Sequence, residues 1–276
     1  MTQPLSDLSR LCVHTITTKP WPIDEAARNY AAAGVKGITV WRQAIEGRDP
    51  AEAGRMIRSH GLSIVSLCRG GFFTGSTREA RSKALDENRR CVDEAAALGA
   101  PLVVLVCGAT PGQPLAESRR QIAEGVASLA HHAAAARVRL AIEPLHPMYA
   151  DERSAINTVE QARLVCQQIG SPWVGIAIDV YHVWWDDHLE REIAACGKEG
   201  RLFAFHMCDW RTPTADMLND RGLMGEGCIP VRQIRGWMES AGFDGFNEVE
   251  VFSQRRWAGD QGSFLRDIRQ AYLDHA

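Results

Sequence analysis

Short runs of β-branched and apolar residues alternate eight times with longer segments rich in Ala, Leu, Arg and Glu, and this alternation narrows the possible folds more than any other feature. The strand patterns fall at 11–17, 37–41, 63–68, 102–107, 139–143, 174–179, 202–207 and 248–252. Helical patterns follow them at 24–33, 50–60, 77–98, 116–136, 158–169, 187–196, 231–241 and 264–272. Eight βα steps in 276 residues leave about 34 residues per step, the arithmetic of a (β/α)8 barrel. No low-complexity tract, block of like charges or Pro/Ser-rich run interrupts the series, so residues 1–276 read as one α/β barrel domain. Its active site is then expected at the C-terminal ends of the strands. A doubly wound nucleotide-binding sheet is the rival, but no strand runs into G-x-G-x-x-G. The GATPG of residues 108–112 lacks that spacing and a P-loop lysine. Residues 209–227 form the longest weakly patterned stretch, and a loop that long in a compact fold usually carries function.

Charge and cysteine usage remove several classes of partner. Lys plus Arg total 31 against 34 for Asp plus Glu, a net charge of −3, which gives no electrostatic reason to expect nucleic acid or an anionic membrane surface. No apolar run reaches the ~18 residues of a membrane span, and no secretory leader is readable at the start. The eight cysteines are scattered without a C-x-x-C pair, as expected of small core residues in a reducing cytoplasm.

Alternation along a strand sends successive side chains to opposite faces. In 140–143 Ala141 and Glu143 share a face against Leu140 and Ile142; in 174–179 Gly175, Ala177 and Asp179 oppose Val174, Ile176 and Ile178. In 202–206 Ala204 and His206 oppose Phe203 and Phe205, and in 248–251 Glu248 and Glu250 oppose Val249 and Val251. The bulky face suits the helix ring and the small face the barrel interior. Glu143, Asp179, His206 and Glu250 therefore point inward at the C-terminal ends of strands five to eight. Glu248 lies one layer deeper and needs a buried partner or a raised pKa. Unpaired buried carboxylates cost several kcal/mol each by order of magnitude, a cost that one divalent cation removes. Three carboxylates and one imidazole favour Mn2+, then Mg2+ or Co2+, with Zn2+ compatible. The alternative is that each group makes a separate salt bridge or strand-end cap.

The segments LAIEP (140–144), GIAIDVYH (175–182), FAFHMCDW (203–210), GEG (225–227) and AGFDGFNEVEVF (241–252) resemble the xylose isomerase-like TIM-barrel superfamily, in particular its sugar (phosphate) isomerase/epimerase branch. The specific motifs lie within 139–253; the N-terminal half matches by pattern. The resemblance implies a metal set of Glu143, Asp179, His206 and Glu250, and glutamates (Glu143 and Glu250) that serve as acid and base as well as ligands. It also implies that His182, in the D-x-x-H of Asp179 and His182, meets the substrate. Many relatives carry H-x-K-D after strand seven, whereas this chain has His206-Met207-Cys208-Asp209, which removes any contact the lysine makes.

The implied activity is a metal-dependent isomerisation or epimerisation of a keto-sugar or related polyol through an enediolate. A dehydratase or lyase, inosose dehydratase-like or keto-glycoside-cleaving, is the alternative on the same site. An endonuclease IV-like enzyme requires further histidines for its zinc ions, where strands three and four here end in Cys68-Arg69 and Cys107-Gly108. A non-catalytic barrel acting as an assembly subunit leaves the ligand set unexplained. The expected partner is a small carbohydrate, with no nucleic acid or membrane, and homo-oligomers occur among relatives.

Other residues carry weaker expectations. His182 has the wrong parity for the face of Asp179 and reaches the pocket if the strand ends near Val180 and the chain turns. Arg211 and Trp41 are candidate substrate contacts, the first for oxygens and the second for a sugar face. Asp209 either orients His206 or is a loop carboxylate. His14 reads as a wall or core residue. His146 and Trp184-Trp185 have no assigned role. No glycine-rich anion nest follows strands seven and eight, and the acid in Gly225-Glu226-Gly227 repels phosphate, although Arg255 and Arg256 could compensate. An unphosphorylated substrate is favoured.

Overall fold

The computed structural model describes residues 3–276. Its ten strands are β1 (Leu11–His14), β2 (Gly37–Trp41), β3 (Ser63–Gly71), β4 (Leu102–Val106), β5 (Arg139–Ile142), β6 (Val174–Asp179), β7 (Leu202–Met207), β8 (Asp209–Trp210), β9 (Arg221–Gly222) and β10 (Asn247–Val249). Eight of them close a parallel barrel in the order β1-β10-β7-β6-β5-β4-β3-β2, and β8 and β9 pair as a separate antiparallel ribbon. Between the strands run α1 (Ile23–Ala32), α2 (Pro50–Ser59), α3 (Arg78–Leu98), α4 (Leu115–Ala135), α5 (Val159–Ile169), α6 (Val180–Val183), α7 (Leu189–Lys198) and α8 (Val231–Ser240), and after the last strand come α9 (Gln254–Trp257) and α10 (Gln261–His275). The fold is the expected TIM barrel. No helix among the described residues is long and apolar enough to cross a membrane.

Local chemistry sets several element ends. Asp49 accepts from Glu52 N ahead of Pro50, Thr77 from Ala80 N and Thr158 from Gln161 N, so α2, α3 and α5 begin where a side chain satisfies an orphan amide. Gly99 and Gly170, both left-handed, end α3 and α5. Asp260 caps Ser263 N, which starts α10 three residues before the expected 264. The last barrel strand is shorter than 248–252. Glu250 N still reaches Met207 O at 3.0 Å, but Val251 N turns to the Thr17 hydroxyl and Phe252 O accepts from Arg221 N. The chain there leaves the ladder for side-chain and loop partners. β1 likewise stops at His14 rather than residue 17.

Two hydrophobic layers flank the sheet. The larger packs strands against the helix ring; the interior one contains Trp41, Cys68, Leu102, Val104, Ala141, Ala177, Ala204 and Phe252. The small inward residues on β5, β6 and β7 match the expected parity. Phe203 does not, because the β6–β7 register shifts between Ile176 and Ala177. It packs with the interior layer, its ring in the space a Cβ on Gly175 would fill, with Arg139 stacked on it at 4.7 Å. Gly175 is therefore required by close approach, not only by parity.

At the end of β3, Gly71 (φ 117°) lies where an added Cβ would fall 1.8 Å from Val106 O, and its backbone is clasped by Asn88, which accepts from Gly71 N and donates to Gly71 O, both at 2.6 Å. Gly71→Ala should therefore destabilise the protein by on the order of 2–4 kcal/mol, read from urea unfolding. An unchanged midpoint would show that β3 can move away from β4.

Candidate metal centre and pocket

The ends of β5, β6, β7 and β10 bring Glu143, Asp179, His206 and Glu250 together: one ligand atom from each lies within 4.8 Å of the others, and all four residues are buried. Asp179 is the last residue of β6, and its Oδ1 accepts from Tyr181 N at 2.9 Å, capping α6. The ladder pairs His206 with Asp179 on one side and with Glu248 on the other, so three ionisable residues follow directly from strand register.

A polar floor supports the cluster. Glu248 is taken by the Thr39 and Ser66 hydroxyls and by His14 Nε2 at 3.1 Å, while His14 Nδ1 lies 2.9 Å from Glu250 Oε1. Burial disfavours a charged imidazole at His14, yet Glu250 and Glu248 raise its pKa to about 9. Burial opposes ionisation of Glu248 and Glu250 too, but the histidines hold both carboxyls below their ordinary range. Glu248 thus has the buried partner that its depth demanded. His14 is no passive wall: it joins the two glutamates of β10.

These residues fit a divalent cation. Glu143 Oε1 and both ring nitrogens of His206 are buried without a hydrogen bond, although His206 Nδ1 and Glu143 Oε1 are only 3.0 Å apart. Proximity without hydrogen-bond geometry leaves their lone pairs uncommitted. Burial, reinforced by Glu250 and Glu143, pushes Asp179 up to about 7 against the opposing charge of Arg221. Burial lowers His206, but Glu143 and Glu248 outweigh it and raise it to about 9. Burial of Asp179 and the carboxylates beside His206 favour a proton on each, and a metal ion competes with those protons for the same donors.

Arg221 is the functional-site residue least visible in the sequence. The β8–β9 ribbon folds the long loop back over the barrel mouth, and the buried guanidinium donates to Asp179 Oδ2 at 2.9 Å and Glu250 Oε2 at 2.8 Å. Its faces rest on Tyr181 and Phe252, at 4.3 and 4.9 Å from the ring centroids. No periodicity singles it out; the one signal was the length of the loop. His182 does reach the pocket, because β6 ends at Asp179 and α6 turns the chain by a single turn. Arg221 lies 3.2 Å from His182 Nε2 and can only donate, so Nε2 accepts and Nδ1 carries the proton. That Nδ1 is buried without a partner. Burial and Arg221 hold the ring neutral, well below the usual histidine range.

Trp41 lines the same pocket, with its ring edge-on to Phe252 and its indole nitrogen 3.3 Å from His14 Nδ1. Arg211 is not among the lining residues: it is partly exposed and pairs with Asp220 inside its own loop. The arginine of this loop that lines the pocket is Arg221, ten positions on. Asp209 does not orient His206. Its carboxylate accepts from the amides of Trp210, Gly225, Gly227 and Ile229, so the protein's own carboxylate occupies the amides of the GEG turn. Arg255 and Arg256 are engaged with Glu226.

Residues 27–268 match the xylose isomerase-like TIM barrel. The chain belongs to that family. A crystal structure of protein SMc04130 from Sinorhizobium meliloti 1021 shares 43% identity, covers 98% of this chain and 99% of its own, and superposes with a TM-score of 0.94. The inosose isomerase of Bacillus velezensis is 25% identical over 207 residues, 73% of this chain and 71% of its own length. The IOLI protein, solved with a bound zinc atom, is 18% identical with a TM-score of 0.83, covering 96% of this chain and 97% of that one. One of these relatives is thus an inosose isomerase, and the solved structures share the barrel seen here.

Proposed function

We propose that this xylose isomerase-like barrel is a divalent-metal-dependent isomerase or epimerase of a keto-sugar or related polyol. The observation that carries the reading is the buried Glu143–Asp179–His206–Glu250 cluster, with uncommitted donors, beside a neutral His182 whose Nδ1–H has no partner. The inosose isomerase relative and the zinc in the IOLI protein support it. Three carboxylates and one imidazole match the preferences of Mn2+, with Mg2+, Co2+ and Zn2+ as competitors. A cation held there would polarise a carbonyl and acidify the neighbouring C–H.

The chain's own residues supply the proton transfers. Glu143 and Glu250 come from strands separated by β6 and β7, so they approach a bound carbon chain from different directions. One carboxylate takes the proton α to the carbonyl, the C–H electron pair enters the new C=C bond, and the carbonyl oxygen takes the negative charge. The other carboxyl, protonated, returns a proton to the opposite face of that carbon as the C=C pair forms the new C–H bond and the oxyanion becomes the carbonyl again. For isomerisation the proton goes to the adjacent carbon, and the hydroxyl proton passes to the former carbonyl oxygen as the hydroxyl oxygen becomes the carbonyl. His182 Nδ1–H donates to a substrate oxygen, and Arg221 holds Asp179 and Glu250 in place. Trp41 supplies an apolar wall for the sugar.

Incubation of the protein and Mn2+ with ketoses, inososes and keto-glycosides in D2O should place deuterium at the carbon next to the carbonyl, read by NMR. Prior chelation should abolish the exchange and added Mn2+ restore it. Loss of water with an absorbing enone would select the dehydratase instead. Exchange that persists in chelator would sink the metal-dependent reading.

A further inference from the structure

Two arginines in the pocket wall have no acceptor. Arg69, within β3, and Arg153, in the loop after β5, line the same narrow pocket as Glu143, Glu250, His182 and Arg221. Neither guanidinium makes a hydrogen bond or ion pair with any described residue. The arginines around them differ: Arg42 is held by Glu87 and Glu94, Arg211 by Asp220, and Arg221 by Asp179 and Glu250. A guanidinium offers five N–H donors in a fixed fork, and in this half-buried wall those donors are left to solvent or to a ligand.

Both arginines are nonetheless held in position. Arg69 stacks over Phe72 at 4.5 Å and Arg153 over Tyr149 at 5.4 Å, contacts that use a face of each guanidinium and leave its edges free. Tyr149 is fixed by its hydroxyl on Met217 O at 2.6 Å, and Phe72 by its amide on Val106 O at 2.8 Å. The Arg153 backbone is tied to the barrel by Gly108 N on Arg153 O at 2.9 Å. Burial lowers the pKa of Arg69, and Arg153 adds to the shift, so the two like charges feel each other across the pocket. The Gly225 and Gly227 amides of the GEG turn are spent on Asp209 and are not free to hold an anion.

Resting on the isomerase/epimerase reading above, we propose that Arg69 and Arg153 form a clamp for an oxyanion, carboxylate or phosphoryl, carried by the keto-sugar substrate. The substrate class is then an acidic or phosphorylated ketose rather than a neutral one. A carboxylate keeps the expectation of an unphosphorylated substrate, and a phosphoryl group would set it aside.

The test compares solvent-deuterium exchange on D-fructose, D-fructose 6-phosphate and 5-keto-D-gluconate, using the full chain with Mn2+. At least one anionic ketose should exceed D-fructose in kcat/KM by about tenfold or more, and which one does so separates phosphoryl from carboxylate recognition. In R69Q and R153Q the ratio of anionic to neutral kcat/KM should fall about tenfold each, chiefly through KM. Calorimetry with sulfate and D-gluconate provides an arm independent of turnover: heat of binding to the wild-type chain should vanish in the double variant. Equal losses on neutral and anionic ketoses, or binding unaffected by the double substitution, would overturn the clamp and leave the isomerase reading standing. Absence of exchange on every ketose, with binding still arginine-dependent, would instead overturn the isomerase reading and keep the clamp.

Discussion

Glu250→Gln is expected to lower the rate of deuterium exchange by about three orders of magnitude or more and to empty the metal centre. Glu250 contributes to two functions at once. It offers a ligand atom to the four-residue cluster, and it is one of the two carboxyls available to move the substrate proton. It is also the meeting point of the positive charges, 2.9 Å from His14 Nδ1 and 2.8 Å from Arg221. Glutamine keeps the shape but removes the charge. Wherever its NH2 faces His14 or Arg221, a donor confronts a donor. The barrel itself should persist, because Arg221 retains Asp179 and His14 retains Glu248. Circular dichroism should therefore match the parent while metal analysis by plasma emission shows loss. Full metal occupancy in the variant would mean that Glu250 is not the fourth ligand.

Arg221→Met should cost about 3–5 kcal/mol of stability in the absence of added metal, because it removes the guanidinium that two buried carboxylates share and leaves Asp179 without its arginine. The methionine fills much of the same slot between Tyr181 and Phe252, so packing loss is a small part of the effect. Added Mn2+ should then raise the melting temperature of the variant more than that of the parent, since the cation takes over neutralisation of Asp179 and Glu250. The paired melting curves, with and without Mn2+, make the check. Equal metal-induced shifts in the two proteins would show that Arg221 does not share the electrostatic field of the ligand cluster.

Both experiments concern residues of very different legibility. Glu143, Asp179, His206 and Glu250 could be placed on one face because parity is a property of each strand alone. Three short strands with small residues beneath an ionisable one carried that information locally. His182 required one further fact, where β6 ends, and Asp179 acting as the cap of α6 decides that. Phe203 broke the rule: a register shift between neighbouring strands put it in the interior, and no single strand encodes its partner's register. Arg211 and Arg221 sit in one loop, similar in sequence surroundings. The pairing of Asp209 with Gly222 and of Trp210 with Arg221 is what turns the second inward and leaves the first on Asp220.

His14 marks the same boundary in another way. On β1 it looks like any buried strand residue, and the two carboxylates it bridges lie more than two hundred positions away, on β10 and just beyond it. Barrel closure pairs Cys12 with Glu248 and so delivers His14 to both glutamates. The amino-acid sequence by itself determined the eight-step barrel, the inward face of each strand and the order of the ligand residues, because periodicity and capping act over a few bonds. Tertiary structure alone decided the His14 bridge, the return of Arg221 and the two unpartnered arginines of the wall. Those depend on distances between segments remote in the chain, which are set by strand register and loop path rather than by any local pattern.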